Sequence, residues 1–468
     1  MPGQGVACNE IEQQQYEKYR GRNKRRSGSM TIKKKNKMIL FIILTMTLSV
    51  TTGCSDAHKA DPAQGKKMQS IVTNAQEDIN ADEDFTEAFM EREQPGMEEA
   101  LEKGYNLPLS QSAEEEAEAD CKKAMERIRG IYAGSDKGDS LNPTPDGESI
   151  SKMYEALQET GCPVTAAGFH YTMGNYEKME QFLEECLDGS EGELTLYYIT
   201  AGGGINRSRF LFDGTQLYVI DTISTWNAKD DPAIAGSSLN RIKDWKYTEK
   251  GWFAYEYCMP EYPDVTELAN GHNLLRVKPM EEEYIRIAEE YLLPIGYLGN
   301  NLLRSNWDAG HLEELDYNGL YEYLFALKYE KSMGLGTYAD GIPKEEFETL
   351  MTEYLPVTVE ELARYAVYDG EKQTYGWKRL GPLTYMANWF SNSIPEVREI
   401  QENSDGTTSL TIDAVCEAMG EDRVMSHVLT LQIREDGSAR YLGNQVLEDG
   451  LEKITEYQYR LPQTDAGL

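Results

Sequence analysis

Residues 33–54 read KKKNKMILFIILTMTLSVTTGC, and the last of them, Cys54, is a side chain whose chemistry its neighbours prescribe. Three lysines and Lys37 lead into an apolar run over 38–50, which ends in Thr51, Thr52, Gly53 and Cys54. The run is too short to span a bilayer, which needs about 20 apolar residues. It suits the core of an export signal, with a basic flank before it and small residues at the cut. Cleavage between Gly53 and Cys54 would free a thiol to carry a diacylglyceryl group. Two acyl chains, at about 0.8 kcal/mol per buried methylene, hold a protein stably where one holds it marginally. The stretch therefore predicts a protein held to the outer face of the cell membrane, with the lipid bilayer as partner through Cys54. Thr51 departs from the Leu, Val or Ile usual at that position of a lipobox, and an ordinary secretory signal with a chance cysteine is the alternative.

A second cluster lies in 299–317, GNNLLRSNWDAGHLEELDY. Asn300, Asn301, Asn306, Trp307, Asp308 and His311 place amides, an indole, a carboxylate and an imidazole in an inter-helix loop. An aromatic face with a few polar groups around it can line a ligand cleft, so these six are the candidate binding residues for a small-molecule, glycan or protein ligand. Helix capping and loop chemistry compete for the same side chains.

Other patterns lose to simpler explanations. Ser149 and Lys152 match S-x-x-K, which puts both on one helix face, but no K-T-G follows, and a serine at a helix start explains the match. Gly202, Gly203 and Gly204 follow a strand and lead to another strand, whereas a phosphate cradle must open into a helix. His58, His170, His272, His311 and His427 are scattered, and no H-E-x-x-H or G-x-S-x-G occurs. His427 sits on an otherwise apolar strand face, as a hydrogen-bonded core histidine does. No metal and no cofactor is implied. Nor does carboxylate pairing discriminate among 80 acidic residues.

Composition narrows the partners. The formal net charge is −34; residues 1–53 hold 10 basic and 3 acidic side chains, so the chain from Cys54 onward carries −41. Such a field repels nucleic acid, which is excluded as a partner. Beyond Cys8 and Cys54, five cysteines remain at irregular spacing without C-x-x-C, which reads as small buried hydrophobes.

The elements divide the chain as follows. Residues 1–29 look like an over-extended reading frame ahead of Met30, 30–53 form the signal, and 54–112 an acidic, disordered tether. A first lobe of helices followed by antiparallel sheet spans 113–278, a helical section 279–368, and a second sheet lobe 369–462, with a tail at 463–468. In the first lobe Ala117, Cys121, Ala124, Met125, Ile128, Ile131 and Tyr132 mark a helix by their three- and four-residue spacing. Further helices are expected over 149–159 and 176–187. The pattern then shifts to period 2, predicting strands over 193–200, 206–213, 216–225, 241–248, 252–259 and 273–277, joined by short turns that demand antiparallel pairing. In the helical section, helices are expected over 280–293 and 320–329, with another behind Pro343 and a fourth capped by Thr358 and Glu361. Strands at 409–416, 423–433 and 438–446 follow, with an edge strand at 453–461. The fold class is α+β: two antiparallel β-sheet lobes with a helical section between them.

The runs YTEKGWFAYEYC, GNNLLRSNWD, LDYNGLYEYL, IPKEEFETLM, EYLPVTVEELARYAV and LTIDAVC resemble those of a group of lipoproteins of anaerobic Gram-positive bacteria, catalogued as a domain of unknown function. The resemblance spans about residues 120–461 and implies a bacterial, membrane-anchored protein without implying an activity. Taken with the residues, it predicts a non-catalytic binding or envelope-interaction lipoprotein. An extracytoplasmic hydrolase is the first alternative. The solute-binding lipoprotein of a transporter is the second, disfavoured because its lobes need βαβ units.

Overall fold

The computed structural model describes residues 97–138, 143–331, 333, 338–380 and 388–461. The signal, Cys54, the first 29 residues, the tether up to residue 96 and the tail at 463–468 lie outside the described residues.

The described structure includes residues that fall before the tether boundary at 112. Helix α1 (Met97–Lys103) is followed by Leu107, which is buried and donates its amide to Leu239 O at 2.8 Å. Period counting misses such a segment, because it is held by the Leu107 bridge and by bonds from Arg241 to the carbonyls of Leu101, Glu102 and Gly104, all to residues far along the chain. Helix α2 (Gln111–Gly134) starts where Ser110 Oγ accepts the Ala113 amide, and it buries the predicted face from Ala117 to Tyr132. Helix α3 (Gly147–Gln158) packs against it, and strand β1 (Val164–Ala166) and helix α4 (Tyr176–Leu187) follow.

Six strands then run in order: β2 (Gly192–Ile199), β3 (Ile205–Phe212), β4 (Leu217–Trp226), β5 (Pro232–Tyr247), β6 (Trp252–Tyr257) and β7 (His272–Arg276). With β1 they form a seven-stranded sheet in which every strand neighbours its sequence neighbours. All pairings are antiparallel except β1 with β2, which is parallel through the crossover α4. The expectation of purely antiparallel pairing fails there, since three residues are too few to show a period of 2. Strand β5 is twice its predicted length: its first part pairs with β4 and its last part with β6, and bulges bend it between the two. Alternation sorts the side chains by face. Phe210, Val219, Phe253 and Leu275 meet Met179, Phe182 and Leu183 of α4, while Ile199 and Ile205 meet α2 and α3 on the other side.

Past the sheet, helix α5 (Glu282–Ile287) continues through a π-helical turn (Ala288–Leu292) and stops at Pro294, and helix α6 (Tyr317–Tyr329) follows. Strand β8 (Ile342–Pro343), helix α7 (Lys344–Tyr354), helix α8 (Val359–Tyr365), strand β9 (Tyr368–Asp369) and strand β10 (Thr374–Tyr375) come next, the three strands forming a small sheet. Thr358 and Glu361 make the expected capping box at α8. The last sheet is a four-stranded antiparallel meander of β11 (Ile394–Glu402), β12 (Thr408–Cys416), β13 (Glu421–Ile433) and β14 (Ala439–Val446). Strand β11 escapes sequence reading because Pro395, Glu396, Arg398 and Glu399 disguise it. The helices of 282–365 and this sheet share one apolar core, in which Leu292, Leu320, Phe347 and Leu350 meet Leu410, Leu429 and Tyr441.

The strand expected at 453–461 is absent. A helical turn, α9 (Gly450–Lys453), leads into an extended strap that pairs with no strand.

The two larger sheets are pinned to each other by buried charge. Glu396 on β11 accepts from Arg276 at 2.5 Å, from Trp252 Nε1 at 2.9 Å and from Lys250 at 2.6 Å. Lys250 also reaches Asp413 at 3.1 Å, and Ser426 donates to Asp413 at 2.6 Å. Glu396 and Asp413 are both buried, and the polar partners named here match them.

Candidate functional site

The 299–317 loop keeps its polar side chains for the fold. Asn300 is fully buried; its amide donates to Ile295 O at 2.8 Å and its Oδ1 accepts from the Leu302 amide at 3.1 Å. Asn301 bridges Glu314 O and the Asp316 amide. Asn306 Oδ1 accepts from the Val446 amide at 2.7 Å. Trp307 is buried, donates its indole N–H to Leu302 O at 2.8 Å and bridges to Asn444 on β14. The cleft expected around these four side chains is thus replaced by internal bonds. Asp308 and His311 remain exposed, with His311 Nδ1 3.0 Å from Asp308 Oδ1. The carboxylate raises the histidine pKa, and the Gly310 amide and the histidine lower that of the aspartate.

This loop does hold an extended segment, which is the chain's own. Arg304 Nη2 donates to Thr455 O and stacks over Phe390. Tyr457 OH donates to Asp316 Oδ2 at 2.7 Å, and the Arg460 amide to the same oxygen at 2.8 Å. Arg460 Nη2 reaches Gly299 O at 2.8 Å, and Arg460 Nη1 lies 2.7 Å from Glu322.

The remaining motifs are structural. Asp146, rather than Ser149 or Ser151, caps α3, accepting from both the amide and the hydroxyl of Ser149. Lys152 pairs with Glu148, not with the serine. Gly203 turns at φ +73° under Tyr132, and a Cβ there would sit 2.9 Å from that ring. His427 is buried between Tyr297 OH at 2.9 Å and Asn444 Oδ1 at 2.6 Å, and burial pushes its pKa down to about 4. Cys121, Cys162, Cys186, Cys258 and Cys416 are free thiols. Among the described residues no group of three or more His, Cys, Asp or Glu could hold a metal, and no helix is long and apolar enough to cross a membrane.

An open groove with a different character lies between α2 and the start of β2 and β3. It encloses about 460 Å³ and is lined by Glu116, Asp120, Lys123, Thr195, Arg207 and Arg209. At its floor Arg207 is 3% exposed. Arg207 Nε donates to Asp120 Oδ2 at 2.5 Å, and Nη2 lies 3.4 Å from Thr195 Oγ1. Tyr197 OH donates to the same Asp120 oxygen at 3.0 Å, and burial with that carboxylate raises the phenol's pKa. Arg207 Nη1 is buried and has no partner. Leaving a buried donor unmatched costs about 1–3 kcal/mol, so the position is held against a gradient. Arg209 is braced by Glu116 at 3.2 Å and Glu193 at 2.7 Å, while Lys123 stands exposed at the rim.

Chemically, the groove offers guanidinium and ammonium donors beside carboxylate acceptors. No serine, histidine or cysteine lines it. Its lining sets Thr195, Lys123 and the carboxylates of Glu116, Asp120 and Glu193 beside the two arginines. Sequence reading missed it, although the signal was present: NRSRF repeats arginine at alternate positions of a strand, placing two cations on one face of an acidic protein.

Fold and groove together define an α+β protein built largely on antiparallel sheets. The chain belongs to a family of unknown function, DUF6070, whose model matches residues 114–460. No curated protein and no solved structure matches it.

Proposed function

We propose that the protein is a lipid-anchored, extracytoplasmic binding protein. Diacylglyceryl on Cys54 holds it to the membrane, and the groove around Arg207 takes its ligand. Two sheet-bearing lobes, with the helical section between them, form the body that the acidic segment after Cys54 carries. The bilayer is its first partner; a strongly acidic chain is a poor one for nucleic acid.

One observation carries the binding reading: the buried guanidinium of Arg207 keeps an unmatched N–H at the floor of an open, charge-lined groove. Nη1 itself has almost no accessible surface, so a ligand that presents a carboxylate or another strong acceptor completes that guanidinium once a small side-chain movement uncovers it, and carboxylate–guanidinium pairing is among the stronger polar contacts available. The shape is also that of a binding surface. A hydrolase needs a nucleophile and base converging on one point, whereas the carboxylates of Asp120, Glu116 and Glu193 are taken up in ion pairs with Arg207 and Arg209, which favours binding.

Two experiments test the two halves. Labelling with palmitate in a bacterial host should mark the wild-type chain and leave Cys54→Ala unlabelled; an unlabelled wild type defeats the anchor. Sodium galacturonate and a glutamate-rich peptide, titrated against the detergent-solubilised chain, should bind wild type and lose at least tenfold in Arg207→Met. Binding by neither probe, or equal binding by the variant, defeats the groove.

A further inference from the structure

The Arg207 groove is electrically lopsided along its length, and the register of its two walls shows how. On the sheet wall Tyr197 pairs with Arg207 and Thr195 with Arg209, so the two guanidinium side chains start one strand repeat apart, about 7 Å. On the helix wall Glu116, Asp120 and Lys123 follow one another at helical spacing along α2, with about 6 Å of rise from Glu116 to Asp120. Ion pairs align the walls: Glu116 meets Arg209 at 3.2 Å, and Asp120 meets Arg207 at 2.5 Å. Lys123, almost a turn beyond Asp120, therefore extends the Arg207 end.

Charge is unequal at the two ends. At the Arg209 end Glu116 and Glu193 share one guanidinium through Oε2 of each, which leaves one negative charge in excess among the lining residues. Those carboxylate side chains are 60% and 44% exposed while that of Arg209 is 11% exposed, so the surface a ligand meets there is carboxylate. At the other end a single carboxylate, Asp120, faces two cations, Arg207 and the exposed Lys123. Asp120 Oδ2 already serves both Arg207 Nε and Tyr197 OH, and Arg207 Nη1 stays unmatched. One end thus calls for a cation and the other for an acceptor.

The offset between the ends selects the ligand. A molecule of one charge sign meets one demand and is repelled at the other end. A zwitterion meets both, provided that its charges lie as far apart as the ends do. A free α-amino acid carries both charges on one residue, about 3.5 Å of chain, which is too short. Two extended residues span about 7 Å, the step from Arg209 to Arg207, and three span about 10 Å, the rise along α2 from Glu116 to Lys123. We infer that the groove recognises a di- or tripeptide with both termini free, its ammonium held by Glu116 and Glu193 and its carboxylate by Arg207 and Lys123. This rests on the reading of the groove as a carboxylate-binding site, to which it adds the second charge and the length.

Alanyl-alanine and trialanine, titrated by calorimetry into the detergent-solubilised full chain at pH 7, where a peptide's α-amino group is mostly charged, test the inference. At least one should bind; its N-acetyl form, its C-terminal amide and free alanine should each bind at least tenfold more weakly. Glu116→Gln, at an exposed position, should weaken the free peptide at least threefold. Equal binding by the N-acetyl form or by alanine overturns the inference and leaves the carboxylate reading standing, whereas equal binding by the amide overturns both. If neither peptide binds, the inference falls, and the galacturonate titration decides the carboxylate reading separately. Unchanged affinity in Glu116→Gln also overturns it, and the blocked peptides decide without any substitution should that variant lose its cooperative melt.

Discussion

Two polar interiors in this molecule obey opposite rules. At the junction of the sheets, the carboxylates of Glu396 and Asp413 are met by Arg276, Trp252, Lys250 and Ser426. On the two faces of the first sheet Arg207 Nη1 and Asn206 Oδ1 are buried without a partner, as is Glu417 Oε1 in the turn after β12. Both regions cost desolvation. In the first, Coulombic attraction and hydrogen bonds offset it internally. In the second the described residues supply no such offset, and that difference sets a joint apart from a candidate site.

Breaking the joint should produce the largest effect. Glu396→Ala leaves Arg276 and Lys250 without their shared carboxylate and should destabilise the fold by about 3–5 kcal/mol, read by urea denaturation. A loss under about 1 kcal/mol would remove the contrast. His427 sharpens it from another direction, since it is a matched group whose charged form is excluded. Its folded pKa of about 4 lies below the ordinary value of 6.5, so its contribution is complete above pH 6.5 and is lost as pH falls toward 4. The slope of stability between pH 6.5 and 4 should flatten in His427→Gln by roughly one proton's worth; an unchanged slope would assign the acid sensitivity elsewhere.

The unmatched region predicts the opposite sign. Glu417 has a raised folded pKa, so stability present at pH 4 is lost as pH rises through about 8. Glu417→Gln should therefore stabilise the ligand-free protein at pH 8.5, by about 1–2 kcal/mol, and leave it unchanged at pH 4. A destabilising result would return Glu417 to the joint's category. The smallest effect sets the floor for matched bonds at the surface: Thr358→Ala removes the capping box of α8 and should cost about 1 kcal/mol. If that equals the loss in Glu396→Ala, burial is not what gives the joint its strength.

Much of the fold was legible because period and punctuation agreed. The face of α2, the Thr358 cap, the sequential hairpins from β2 to β7 and the His427 strand follow from local rules that tertiary contacts then obeyed. The failures share a cause, which is dependence on distant partners. Strand β1 exists only by pairing with β2, Leu107 only by its bridge to Leu239, and β11 carries Glu396 in a pattern that makes sense only beside Arg276. The loop at 299–317 was recognised as unusual for good reason. Its asparagines and Asp316 are poised to bind backbone, but the backbone is mostly their own and that of residues 455–460. The groove was hidden because distant positions build it: Arg207 meets Asp120 across 87 positions.

The strap across that loop also fixes the timing of folding. Tyr457 and Arg460 bind partners 138 to 161 positions earlier, so Asp316 and Gly299 must wait for nearly all of the described polypeptide to be made. Closure of such long loops slows folding, and until it happens the 299–317 segment presents open hydrogen-bonding groups to its surroundings. A premature stop codon before Thr455 would leave that segment permanently unfinished, which makes the codons for residues 455–460 a checkpoint for the whole C-terminal half.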